Sequence, residues 1–128
     1  MEEFTIDEVI GFHIELIQAS NLEEDRGFGG VLLQRGNLEY VINTSNNIFE
    51  PFERAAFILH GLVTGHPFVQ GNKRISFILA SLSLLRTPER YHIESSGEEI
   101  DSFVREIAQG KKTKDDVETW LRINTKKR

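Results

Sequence analysis

The chain has no cysteine. That excludes disulfides, zinc–thiolate sites and a cysteine nucleophile, and it fits a reducing compartment. It also lacks any apolar run long enough for a membrane span, because the longest candidates are interrupted by Gly, His, Ser and Arg. The N-terminal Met-Glu-Glu-Phe-Thr is acidic and has no apolar signal region, so the expected location is the cytoplasm. An excess of positive charge is missing too. The formal net charge is −5, which argues against general nucleic-acid binding, since that needs a concentrated basic face. The short basic tail Lys126-Lys127-Arg128 reads as solvated. The four histidines show no His-x-x-x-His or comparable ligand spacing, so a histidine metal site is not expected. There is no internal repeat and no low-complexity stretch.

What remains is an ordinary globular composition, 39% hydrophobic and 27% charged, over 128 residues. That length suits one domain, residues 1–128, with a single core. Residues 5–19 read as a helix with Thr5 as N-cap and Glu8 completing a capping box. Ile6, Val9, Ile10, His13, Ile14, Leu16 and Ile17 follow helical spacing, with His13 at the edge of that face. Residues 22–30 form a loop carrying Glu23, Glu24 and Asp25 and three glycines. Val31-Leu32-Leu33-Gln34 suits a short extended segment, Arg35-Gly36-Asn37 a turn, and residues 38–42 a short helix capped by Asn37. Residues 43–47 read as polar and turn-like.

Two apolar helices are expected in the centre, at 51–64 and 73–86. Pro51 opens the first, and Gly65 stands just past its end. His60 on the first is a core or edge residue. Ser76, Ala80, Ser81 and Ser83 on the second would let neighbouring helices approach closely. Tyr91-His92-Ile93 reads as a connector. Residues 96–109 read as an amphipathic helix ended by Gly110, and Thr113 caps a last helix that docks through Val117, Trp120, Leu121 and Ile123. The expected fold is mainly α, with five or six helices and little sheet.

Between the central helices lie residues 66–74, His-Pro-Phe-Val-Gln-Gly-Asn-Lys-Arg. A loop that ends where a helix begins exposes free backbone N–H groups, and the helix dipole favours an anion there. Lys73 and Arg74 in the first turn oppose that dipole, which is poor helix chemistry and good anion chemistry. Gly71 would allow a phosphate close to the backbone. Asn72 could donate to a phosphate oxygen, Lys73 supplies a point charge, and Arg74 a planar fork. His66 is a candidate general base, since an unperturbed imidazole titrates near pH 6.5. Taken one by one, each of these residues also has an ordinary structural use, as turn, cap, anchor or solvent-facing charge.

The combined string, His-Pro-Phe-x-x-Gly-Asn-Lys-Arg between two apolar helices, resembles the signature of the Fic/Doc superfamily. The Asn-Lys-Arg ending is most similar to the Doc (death-on-curing) branch, whereas Fic adenylyltransferases carry Gly-Asn-Gly-Arg. The chain length is similar to that of a stand-alone Doc protein. The resemblance implies a Fic-type helical bundle with a short flap segment, here Val31, Leu32 and Leu33, on which a target docks. It implies a toxin-type transferase that moves phosphate, or AMP, from ATP or another nucleoside triphosphate to a Ser, Thr or Tyr hydroxyl of a target protein such as a translation factor. His66 would be the base, Phe68 the buried anchor, Gly71 and Asn72 the anion-binding turn, and Lys73 and Arg74 the phosphate ligands. Lys73, in place of the second glycine, is associated with a pose that presents the terminal phosphate and so with kinase-like chemistry. A separately encoded antitoxin is the implied restraint, because no inhibitory Ser/Thr-x-x-x-Glu-Gly/Asn motif is visible.

The chain departs from the family at Gln70, where an Asp or Glu usually binds Mg²⁺. Gln70 is uncharged and a poor ligand for a hard divalent ion. Three alternatives follow. Phosphates and water hold the metal with help from the Gln70 carbonyl. Another carboxylate, such as one from Glu23 to Asp25, substitutes. Or turnover is impaired and the chain is a nucleotide- or partner-binding module.

Overall fold

The structure is a computed structural model and describes residues 2–128. It is mainly helical, with six α-helices among the described residues, consistent with the expected Fic-type bundle. In chain order these are α1 (Ile6–Gln18), α2 (Arg35–Ser45), α3 (Pro51–Gly65), α4 (Asn72–Leu85), α5 (Gly97–Ala108) and α6 (Lys114–Ile123). A 3₁₀ turn at Glu23–Asp25 lies between α1 and α2. No helix among them is long and apolar enough to cross a membrane.

The α3–α4 pair forms the axis. On α3 the side chains of Ala55, Ala56, Ile58, Leu59, Leu62 and Val63 are all fully buried. A helix apolar nearly all round must be surrounded, and α3 is covered by α4, α6, α2 and α5. On α4 the small residues Ser76, Ala80 and Ser83 form a buried stripe. Two apolar clusters flank this axis. One joins α3 and α4 to α5 and α6; the other joins them to α1, α2 and Phe68.

Helix ends follow the expected cap chemistry with exceptions. The Ser96 hydroxyl accepts from the Glu99 N–H, and Thr113 and Asp116 form a full capping box at α6. Thr5 caps α1 by accepting from the Glu8 N–H, but the Glu8 carboxylate turns away to pair with Arg86 at 3.2 Å. The expected turn at 35–37 is instead the first turn of α2, and residues 43–45 are its last. Leu38, Val41, Ile42 and Ser45, spaced i, i+3, i+4, i+7, are buried. Their burial extends the helix in both directions past its polar ends. Asn37 is accordingly inside the helix, not its cap.

The connector at 91–93 contains a strand, β1 (His92–Ile93), paired antiparallel with β2 (Thr125–Lys126). It ties the basic tail back to the end of α4. Ile123 is 74% exposed and does not dock, whereas Val117 and Leu121 are buried and Trp120 stacks on Phe103 at 4.5 Å.

Candidate functional site

The site is the connection between α3 and α4, residues 66–71, and the elements that hold it. Gly65 is the last residue of α3, so the left-handed position beyond the helix falls on His66, with φ 45° and ψ 57°. Glycine takes this position at little cost; a histidine held there stores strain. The surroundings fix it. The Asn37 side-chain amide donates to the Gly65 carbonyl at 2.7 Å, and Pro67 is buried directly after. The His66 side chain is exposed, and its ring makes no hydrogen bond among the described residues.

Phe68 is fully buried, as its expected anchor role requires. Around it the loop is tied from two directions. The extended segment Val31-Leu32-Leu33 lies antiparallel to it, with Leu32 opposite Phe68. The Leu33 and Gln34 N–H groups donate to the Pro67 carbonyl at 2.8 and 3.1 Å, and the Val69 N–H donates to the Val31 carbonyl at 3.2 Å. Leu32 packs inward, while Val31 and Leu33 are 39% and 61% exposed. That is strand alternation, and Leu32 turns its own backbone groups to the outer edge. From the other side, the Asn72 side chain accepts from the Phe68 N–H at 2.9 Å and donates to the Phe68 carbonyl at 2.8 Å. Asn72 therefore closes the loop on itself. Its amide, expected to reach a phosphate, is committed to Phe68.

Gly71 caps α4 in the left-handed region at φ 78°. A Cβ there would lie 3.3 Å from Ile17 Cδ1 and 3.4 Å from His13 Nε2, so the glycine lets α1 approach closely. The backbone N–H groups of residues 70–74 donate to no group among the described residues. Five successive unpartnered donors at a helix start, with the dipole behind them, form a nest for an anion. Lys73 is exposed and makes no ion pair among the described residues.

Arg74 makes a contact that the sequence did not announce. Its fork holds Asp25 of the 3₁₀ turn bidentately, at 2.7 and 2.9 Å. Asp25 is 1% exposed and also accepts from the Ser20 hydroxyl. The Arg74 guanidinium, then the Ser20 hydroxyl, hold the Asp25 carboxyl down to about pH 2 against the opposing effect of burial. Arg74 itself is raised further by the same hydrogen bond. Nothing in the acidic cluster at 23–25 marks which carboxylate is buried, so this partner had no sequence signal.

His13 departs from expectation as well. It is fully buried instead of lying at a helix edge. Its Nδ1 accepts from the Gly30 N–H at 2.9 Å, its Nε2 meets the Gln70 carbonyl at 2.7 Å, and its ring stacks on Phe68 at 3.7 Å. Burial pushes the imidazole below its ordinary value; the Gln70 carbonyl opposes that, Arg74 adds to it, and Asp25 opposes it. The signal was its spacing, four residues from both Val9 and Ile17, which puts it on the buried stripe of α1. His60 is half-buried on α3, and His92 lies in β1.

The donor set does not fit a protein-held Mg²⁺. No group of three His, Cys, Asp or Glu that could hold a metal occurs among the described residues. The Gln70 backbone carbonyl is taken by His13 and Asp25 by Arg74 and Ser20, which leaves only the uncharged Gln70 amide and the exposed Glu23 and Glu24 as further side-chain oxygen donors of the loop and the turn. A hard divalent ion prefers several carboxylate or phosphate oxygens.

A model of the Fic/DOC family matches residues 3–84, from before α1 to the end of α4, with the whole site string inside it. The chain belongs to the Fic/DOC family. The comparison with curated proteins finds no match. Family membership is consistent with a transferase-type function. The family match ends at residue 84, so α5 and α6 lie beyond it. Beside the nest, a groove of about 260 Å³ starts at Lys73 and Arg74 and is walled by Phe77, Ile78, Ile100 and Val104.

Proposed function

We propose that this Fic/DOC protein is a Doc-like transferase that moves the terminal phosphate of ATP, or another nucleoside triphosphate, to a hydroxyl of a target protein in the cytoplasm. The observation that carries this reading is the run of unpartnered N–H groups at 70–74, which includes the exposed Lys73 and follows the exposed His66 in the same connection. Phosphoryl transfer needs little covalent help from the protein; it needs positioned charge and a base at the nucleophile. The backbone donors hold the phosphate that reacts. Lys73 supplies the unpaired cation. Arg74 keeps its inner fork on Asp25, and because its side chain is 36% exposed, its other N–H donors remain open to a phosphate. The base of the nucleotide takes the apolar groove beside Lys73.

The target segment pairs with the outer edge of residues 31–33, adding a strand, with Val31 and Leu33 offering apolar contact. Its hydroxyl oxygen attacks the γ-phosphorus, the bond to the β–γ bridging oxygen breaks, and the nucleoside diphosphate leaves. His66 takes the hydroxyl proton. AMP transfer would instead break the bond between the α-phosphorus and its bridging oxygen and release pyrophosphate. Lys73 in place of a glycine favours the first route. A separately encoded antitoxin would restrain the enzyme, since the outer edge and His66 are both open.

A second reading rests on a specific observation. Among the described residues no three metal-ligating side chains come together, and Asp25 is held by Arg74 and Ser20, which suits a nucleotide-binding module without turnover. One assay separates the readings. Purified protein is incubated with cell extract and either γ- or α-labelled ATP, with Mg²⁺ or Mn²⁺. Label on protein from the γ position alone, lost in His66→Ala, supports phosphoryl transfer; label from the α position means AMP transfer. No label from either, with nucleotide still bound, sinks both routes in favour of the module.

A further inference from the structure

We propose that His13 is a positioning residue: a neutral imidazole with its proton on Nε2 that locks the flap segment and the loop at 66–71 into one unit. The hydrogen bonds fix the tautomer. The Gly30 N–H can only donate, so Nδ1 must be the acceptor and carry no proton. The Gln70 carbonyl can only accept, so Nε2 must carry the proton. One ring thus satisfies one backbone group from each of two segments distant in sequence, and its face lies parallel to Phe68 at 3.7 Å.

Each partner sits where a small displacement matters. Gly30 precedes Val31 at the start of the flap. Gln70 begins the run of unpartnered N–H groups, and its carbonyl orientation sets that of the next peptide N–H, on Gly71. Gly30 and Gly71 both have positive φ, at 73° and 78°. A Cβ on Gly30 would lie 2.9 Å from Ile14 Cγ1, and one on Gly71 would lie 3.4 Å from His13 Nε2. Both glycines therefore admit α1 so closely that the imidazole can reach between the two segments. The flap and the loop also bond directly, through Leu33, Gln34 and Val69. His13 anchors that pair to α1, a rigid element, which is what a precisely held site requires. Arg74 and Asp25 are the charged groups nearest the ring, and they neutralise each other, so the cavity favours an uncharged partner.

The positional part of this proposal stands on the geometry; its consequence for transfer rests on the function proposed above. The test uses the full chain. In wild-type protein, ring ¹⁵N shifts at neutral pH are expected to show His13 Nε2 protonated and Nδ1 unprotonated; the opposite tautomer or an imidazolium overturns the proposal. Amide hydrogen exchange is then compared in His13→Leu, His13→Gln and, as a control for general destabilisation, Val117→Ala. His13→Leu is expected to speed exchange at Leu33 and Val69 by about tenfold or more relative to amides of α6. His13→Gln, whose amide can accept from Gly30 and donate to Gln70, is expected to recover part of that protection. Equal exchange at Leu33 and Val69 in wild type and His13→Leu, or the same pattern in Val117→Ala, overturns it. Where label transfer occurs, His13→Leu should lower kcat and His13→Gln restore part of it. Absence of transfer in the wild type would overturn the function reading while the exchange result still decides the positioning role.

Discussion

Replacing Asp25 by Asn tests how the start of α4 is fixed. The substitution keeps the size of the side chain and removes its charge. Asp25 is 1% exposed and loses a bidentate ion pair at 2.7 and 2.9 Å. Breaking a fully buried pair costs roughly 3–5 kcal/mol, because the remaining charge is stranded. Here the remaining charge is Arg74, whose side chain is 36% exposed and can rehydrate. The expected loss is therefore smaller, about 1–3 kcal/mol at pH 7. Its pH dependence has a definite sign. The carboxyl is lowered from the usual 3.8 to about 2 on folding. The unfolded chain takes up its proton first as pH falls, so this contribution is complete above about pH 4 and disappears through pH 2. Asn imitates the protonated acid. Urea unfolding, followed by the fluorescence of the lone Trp120, should give a wild-type minus Asp25→Asn difference that is full at pH 7 and shrinks steadily between pH 4 and 2. A difference that is absent at pH 7, or the same at pH 7 and pH 2.5, refutes the assignment of the pair as a stabilising tie.

Further outcomes follow from single contacts. Gly61→Ala should destabilise by about 1–3 kcal/mol in urea unfolding, although alanine is the better helix former, because its Cβ would lie 2.8 Å from Val41 Cγ2. Asn72→Asp keeps the acceptor for the Phe68 N–H but cannot donate to the Phe68 carbonyl; it should lower stability by about 1–3 kcal/mol and weaken nucleotide binding in calorimetry. Lys73→Ala, at an exposed position without an ion pair, should leave the unfolding midpoint unchanged while weakening nucleotide affinity by roughly tenfold. Thr113→Ala removes the hydroxyl that accepts from the Asp116 N–H, while the Asp116 carboxylate still accepts from the residue 113 N–H, and should cost about 1 kcal/mol.

Much of the fold was legible because its signals are local. The apolar spacing on α3 and α4 needs no knowledge of the partner helix, and Thr5, Ser96 and Thr113 act on amides three residues away. The motif between the central helices was equally legible as a string. What escaped depends on distant residues. The turn expected at 35–37 became helix because Leu38 and Val41 find a core to enter. The strand at His92–Ile93 exists only because residues 125–126 return to pair with it. The burial of Asp25 is set by Arg74, 49 residues on, and His13 finds its two partners 17 and 57 residues away.

The same distinction explains how the site is divided. Asn37, Asn72, His13 and Asp25 each place a polar side chain on the connection or on the first turn of α4, and each is consumed in doing so. Left over without a protein partner among the described residues are the N–H groups of residues 70–74, the His66 ring at a left-handed position, and the Lys73 ammonium. Local strain of the kind held at His66 persists only where surrounding contacts over-determine the backbone. The ties therefore serve one end. They fix a set of N–H dipoles and one unpaired ammonium at the start of α4, with an exposed imidazole in the same connection. A loop optimised for stability alone would put glycine at 66 and a carboxylate in the first turn of α4. This chain has His66 and Lys73 instead, and that departure from helix chemistry makes the connection a candidate site.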